Sequence, residues 1–154
     1  MKEGMKFAIG SDHRGAELKD KIMRYLHAKK IPCFDAAPLV NQTVDYPDVA
    51  DKVISYVGDN EFHGILICGS GLGMCMAANK KSDVRAAVCY EVLTAERARE
   101  HNDANVLVFG ADFVDSHMIP VCRIINTWIE TPFSTKERHV RRVNKMEAIH
   151  DLKK

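Results

Sequence analysis

The chain has 154 residues, 46% of them apolar and 28% charged, the balance of one soluble globular domain, which excludes general disorder. Its 22 Lys and Arg against 21 Asp and Glu leave a formal charge of +1, so no net field draws it toward nucleic acid or an anionic membrane. No apolar run approaches the ~20 residues of a membrane span, and the first five residues lack the apolar core of a signal peptide, so a cytoplasmic protein is expected.

Strands and helices alternate along the sequence. Phe7-Ala8-Ile9 reads as a strand stopped by Gly10, and Leu18, Ile22, Tyr25 and Leu26 give residues 16–30 a helical period. Residues 31–34 form a second strand candidate. After a loop through Pro38 and Asn41, Asp45-Tyr46-Pro47-Asp48 opens a helix with Pro in its first turn and Val49, Val53 and Val57 at four-residue steps. Ile65-Leu66-Ile67-Cys68 is apolar at consecutive positions, as a strand covered on both faces requires. A Gly-rich turn then leads to a helix over 74–80. Residues 84–89 and 106–109 read as the fourth and fifth strands, with helices over 94–101 and 117–130 following them. Pro132 breaks the chain before a basic final helix over about 136–152. Five βα units in this order predict an α/β protein, a three-layer α/β/α sandwich around a five-stranded parallel, Rossmann-like sheet, plus a C-terminal helix. The whole chain, 1–154, is expected to be a single domain with a C-terminal helical arm at 136–152.

Open α/β sheets bind ligands at the carboxyl ends of their strands. That rule puts four segments on one rim: Gly10-Ser11-Asp12-His13-Arg14-Gly15, Cys68-Gly69-Ser70-Gly71-Leu72-Gly73, and the turns after Cys89 and Phe109. If the first and third strands are neighbours, Asp12, His13 and Cys68 face one crevice. Gly69, Gly71 and Gly73 let backbone approach an anion closely and present N–H groups at the helix start. The same glycines would serve a tight turn with no ligand at all. The spacing fails the dinucleotide fingerprint, because Met74 or Met76 stands where its third Gly belongs, and no P-loop Lys follows.

Cys68 lies just before this helix, where a thiolate is favoured as base or nucleophile; a packed core cysteine is the alternative. Cys33, Cys75, Cys89 and Cys122 read as packing residues, and no C-x-x-C pair suggests disulfides or zinc. The seven His show no metal-ligand spacing, so no metal is expected. His101-Asn102-Asp103 ends a helix in three polar residues, readable as a C-cap or as site residues. Arg138 and Arg142 are four apart on the last helix, so two guanidinium forks share one face. They suit either a phosphate dianion or plain solvation. The cluster is short and lacks exposed aromatics, which disfavours nucleic acid as partner.

Together these blocks, with Ala77-Ala78-Asn79-Lys80 and Arg99-Glu100-His101-Asn102-Asp103, resemble the ribose/galactose sugar-phosphate isomerases, type B ribose-5-phosphate isomerases in particular. The resemblance covers almost the whole chain. It implies interconversion of ribose 5-phosphate and ribulose 5-phosphate through a cis-enediolate, in the pentose phosphate pathway, with no cofactor and no metal. It implies Cys68 as the base, with Ser70 and the N–H groups of the Gly71-to-Gly73 turn at the enediolate oxygen and Gly69 among the substrate-binding residues. His101 would open the furanose ring, near Asp12 and Tyr46. His13, Arg138 and Arg142, with His139, would hold phosphate, and Asn102 would touch sugar hydroxyls. It further implies a homodimer or a dimer of dimers with shared sites, and no nucleic-acid or membrane partner. Two departures stand out: Ser70 replaces a usual Thr, and Asp112 occupies a position where an Arg is common. An allose or galactose 6-phosphate isomerase and a non-catalytic sugar-phosphate-binding module are the other readings. The second of these needs the cations but no base.

Overall fold

The structure, a computed structural model, describes residues 4–40, 43–58, 61–114 and 117–151. Asn41, in the loop named above, and Leu152, at the end of the predicted final helix, lie outside them. Five strands, β1 (Phe7–Ser11), β2 (Cys33–Ala37), β3 (His63–Cys68), β4 (Ala86–Val88) and β5 (Val106–Gly110), form one sheet in the order β2-β1-β3-β5-β4. Every pairing is parallel. The helices are α1 (Ala16–Ala28), α2 (Tyr46–Ile54), α3 (Leu72–Ala78), α4 (Val92–Asn102), α5 (Ile119–Glu130) and α6 (Glu137–Asp151). The predicted α/β/α layers are therefore present.

The central strands show why the apolar runs are continuous. Phe7, Ile9, Ile65, Ile67, Leu107 and Phe109 point to one face and pack with α1, α4 and α5. Ala8, Leu66, Cys68, Val106 and Val108 point to the other and pack with α2 and α3. A two-residue side-chain period with both faces covered leaves no polar position in the strand middle. Boundaries differ at β2, which begins at Cys33 rather than Ile31. Residues 31–32 serve the turn, with the Ile31 amide bonded to the Leu26 carbonyl and the Pro32 carbonyl accepting from Phe7.

Helix α6 lies against α4 and the β4 edge. It buries His139 and Val143, and Glu147 follows on the same four-residue stripe. Arg85, on the β4 side, donates to a Glu147 carboxylate oxygen at 2.5 Å and to the Asp103 carbonyl at 2.8 Å. Asp103 ends α4 with a positive φ of 46° and accepts from Arg99 at 3.1 Å. These bonds set the C-terminal end of α4 and the face of α6 relative to each other.

At the start of β3, the His63 ring packs edge-on to Phe7 and Trp128 and accepts a hydrogen bond from the indole Nε1 at 3.3 Å. Burial, with Arg99 and Arg85 nearby, lowers its pKa to about 4. The unfolded chain takes up that proton near pH 6.5, so this contribution to stability is whole above pH 6.5 and is lost as pH falls toward 4. By pH 5 the loss is about 2 kcal/mol. Urea midpoints at pH 7 and 5 should show it, and His63→Gln, which keeps an acceptor for the indole, should lose less between the two. An equal loss in both proteins would contradict the assignment to His63.

Candidate active site

β1 and β3 are neighbours, with Ser11 opposite Ile67, so the Asp12 turn and the glycine loop share one rim. The Asp12 amide donates to the Ile67 carbonyl at 3.1 Å. The Asp12 side chain, 6% exposed, accepts from the amides of Arg14 (3.0 Å) and Gly15 (3.2 Å). It thereby caps the short 3-10 turn that leads into α1, a role that Asp fills because its carboxylate satisfies orphan N–H groups. His13, next in sequence, is exposed.

Cys68 is the last residue of β3 and is 5% exposed. Its Sγ accepts a hydrogen bond from the Gly71 amide at 3.1 Å. Ser70 Oγ accepts from the Leu72 amide at 3.2 Å, which leaves the hydroxyl proton free to donate outward. Two of the amides expected at the enediolate oxygen, those of Gly71 and Leu72, thus already serve the loop's own side chains. Gly73 is the second residue of α3, and its amide has no partner within the helix. Because α3 has only seven residues, the direct Gly71 hydrogen bond, not a long helix dipole, is the polar contact made to the Cys68 sulfur.

The loop conformation requires Gly71, whose φ is +84°. The Tyr46 ring lies over Gly73, within 2.6 Å of where a Cβ would stand, so Tyr46 from α2 reaches this rim. Burial pushes Cys33, Cys75 and Cys122 up, and Cys89 up to about 12, so these remain protonated packing groups, as the sequence suggested.

Asp112 follows β5 on the same rim. It binds Arg14 through both carboxylate oxygens, at 2.8 and 2.7 Å, and this exposed pair lies over Gly69. The departure at Asp112 is therefore matched by a cation, although sequence alone gave Arg14 no role. Tyr90 also escaped the sequence reading. Its hydroxyl donates to the Ser70 carbonyl at 2.8 Å, and its ring stacks edge-on with Phe113.

His101, Asn102, Arg138, His139 and Arg142 form a second cluster elsewhere. Helix α4 returns from the carboxyl end of β4 to the start of β5, so His101 sits beyond the strand starts. Cys68 pairs with Gly110 and Gly64 with Val106, which separates the two rims by four residues, about 13 Å along the strands. Within one chain, His101 and Asn102 do not meet Cys68, Asp12 or Tyr46. The His101 and His139 rings lie 4.3 Å apart between centroids. Nε2 of His101 is 3.0 Å from Arg97 Nη1 and 3.1 Å from a Glu100 carboxylate oxygen. Arg138 and Arg142 are exposed on one face of α6. His139, expected with them at the phosphate, is only 2% exposed, and Arg138 Nε donates to it at 3.3 Å. Burial, then the neighbouring His101 and Arg138, lowers its pKa. His139 thus backs the His101 ring, where burial disfavours a charge on it.

The sequence pattern of the ribose/galactose isomerases matches residues 7–146. The chain is 39% identical to a ribose-5-phosphate isomerase B of Listeria innocua, over 94% of this chain and 97% of that one. With the ribose-5-phosphate isomerase B of Escherichia coli the identity is 37%, over 94% and 95%. A crystal structure of a ribose 5-phosphate isomerase from Thermotoga maritima superposes with a TM-score of 0.88 at 41% identity, covering 94% of this chain and 98% of that one. The chain therefore belongs to the ribose/galactose isomerase family and is a sugar-phosphate isomerase.

Proposed function

We propose that this protein interconverts ribose 5-phosphate and ribulose 5-phosphate, with Cys68 as the base. One observation carries the reading: Cys68 Sγ stands at the carboxyl end of β3, bound by the Gly71 amide and beside the Ser70 hydroxyl. In the open-chain aldose, the thiolate takes the C2 proton and negative charge moves to O1. The same proton is delivered to C1 while the O2 proton passes to O1, which yields the ketose. No electron leaves the sugar, so neither oxidant nor cofactor is consumed. Ser70 Oγ–H and the Gly73 amide hold the charged oxygen, and Tyr46 and Asp12 border the sugar.

His101, with Glu100 beside it, opens the furanose ring; Asn102 binds hydroxyls; His13, Arg138 and Arg142 bind phosphate. The distance between the two clusters supports a site in which His101, Asn102, Arg138 and Arg142 come from a second copy of the chain, while His13 stays on the Cys68 rim. Leu72, Met76, Tyr90, Leu93 and Phe113, all exposed around the Cys68 rim or on the helices beside it, support a covering partner. An isologous dimer then completes two equivalent sites.

The deciding assay offers ribose 5-phosphate and allose 6-phosphate, each with and without EDTA. Turnover of the pentose phosphate, unchanged by chelation, is expected. Among the described residues no three His, Cys, Asp or Glu come together as a metal site. Preference for the hexose phosphate, or loss on chelation restored by a divalent ion, would overturn the corresponding part of the reading.

Arg138→Ala and Arg142→Ala should each raise KM for ribose 5-phosphate by about tenfold or more, since a hydrogen bond to a charged group contributes roughly 1.5–3 kcal/mol. Binding of non-phosphorylated ribose should change much less. Equal losses for both sugars would place these guanidinium groups away from the phosphate.

A further inference from the structure

We infer that Tyr90 is a positioning residue that sets the orientation of the Ser70–Gly71 peptide and, through it, the hydrogen bond on the Cys68 sulfur. The two ends of this one peptide unit point to different partners. Its carbonyl, on Ser70, accepts from the Tyr90 hydroxyl at 2.8 Å. Its N–H, on Gly71, donates to Cys68 Sγ at 3.1 Å. The peptide is trans, so carbonyl and N–H point in opposite directions, and fixing one aims the other.

Such a fixing group is needed here. Gly71 has no Cβ, and glycine occupies positive and negative φ about equally well. A flip of the 70–71 peptide, which exchanges these two regions at Gly71, therefore meets little local resistance. It would turn the N–H away from the sulfur and bring the carbonyl oxygen toward it, a repulsive arrangement for a thiolate. The Tyr90 hydroxyl holds the carbonyl outward. Gly110 makes room on the same side: a Cβ there would come within 2.3 Å of the Ser70 oxygen. The Tyr90 ring is itself steadied by the edge-on contact with Phe113, at 5.3 Å between centroids. The neighbouring Gly69 carbonyl is held independently, by the Asp112 amide at 2.9 Å, so Tyr90 acts on the one peptide that touches the sulfur.

The positional claim stands on geometry; its kinetic consequence rests on Cys68 being the base. Tyr90→Phe keeps the ring and its Phe113 contact and removes only the hydroxyl. The rate of iodoacetamide alkylation at Cys68, followed peptide by peptide, should fall about fivefold at pH 7, the weight of one hydrogen bond. Raising the pH to 10 favours the thiolate in both proteins, so the Cys68 rates should converge there, which separates thiolate stabilisation from access. Alkylation of Cys75 serves as an internal control and should not change; general loosening of the fold would accelerate both cysteines. The kcat for ribose 5-phosphate should fall in parallel with little change in KM. Unchanged Cys68 alkylation at pH 7, faster alkylation of both cysteines, or a deficit that persists at pH 10 would overturn the inference. Slower Cys68 alkylation with full turnover would uphold it and instead overturn Cys68 as the base.

Discussion

Cys68→Ala is expected to lower kcat for ribose 5-phosphate by about 10²-fold or more, the range for loss of a general base, while substrate still binds. The variant removes the thiol proposed to shuttle the C2 proton. It also leaves the Gly71 amide without its acceptor, so circular dichroism and a urea midpoint should accompany the kinetics. Cys68→Ser restores an acceptor for that amide but not a thiolate, and it should fold normally and remain slow. Cys75 provides the contrast. It lies seven residues on, its Sγ donates to the Ala86 carbonyl, and burial pushes its thiol up. Cys75→Ala should keep turnover within about twofold, as a change outside the chemistry does. Near-normal kcat in folded Cys68→Ala would remove the base from Cys68.

The second large effect is complementation. Cys68→Ala and His101→Ala are each expected to be nearly inactive. Because His101 and Cys68 occupy opposite rims of the sheet in one chain, the proposed site combines the Cys68 rim of one copy with the His101 cluster of another. Mixing the two variants under conditions that exchange subunits makes about half of all dimers mixed. In each mixed dimer one site carries both intact residues and the other carries both defects. About a quarter of wild-type activity should therefore return. If both residues act within one chain, every site keeps a defect and nothing returns. An inactive mixture in which exchange is demonstrated would refute the shared site.

How much of this was legible beforehand depends on the range of the interactions involved. The strand cores and their helices follow from periodicities of two and 3.6 residues, which are local. The run from Ile65 to Cys68 declared a strand buried on both faces, and the sheet contains it so. The glycine spacing after Cys68 declared a turn with exposed amides, and Gly71 takes the positive φ that such a turn requires. Residue types within single segments, Cys68 with Ser70 and Arg138 with Arg142, were likewise readable, because a few positions of spacing set which face they share.

Contacts between distant segments were not readable. Tyr90 reaches the Ser70 carbonyl only because β4 and β3 flank β5, an order that the sequence does not spell out. Asp112 read as a departure, an acid where an Arg is common, until the fold brought Arg14, 98 positions earlier, onto it. His139 read as one more cation in a basic stretch, yet packing against His101 buries it, and desolvation disfavours its charged form. The sequence by itself therefore determined the elements, the rim that carries Cys68 and the family. Only the tertiary structure decided which amides, phenols and ion pairs converge there, and that His101 lies at the far rim. The reason is physical: propensity and periodicity act over a few residues, whereas hydrogen-bond partners, burial and the charge state of buried groups depend on segments that the sheet order brings together.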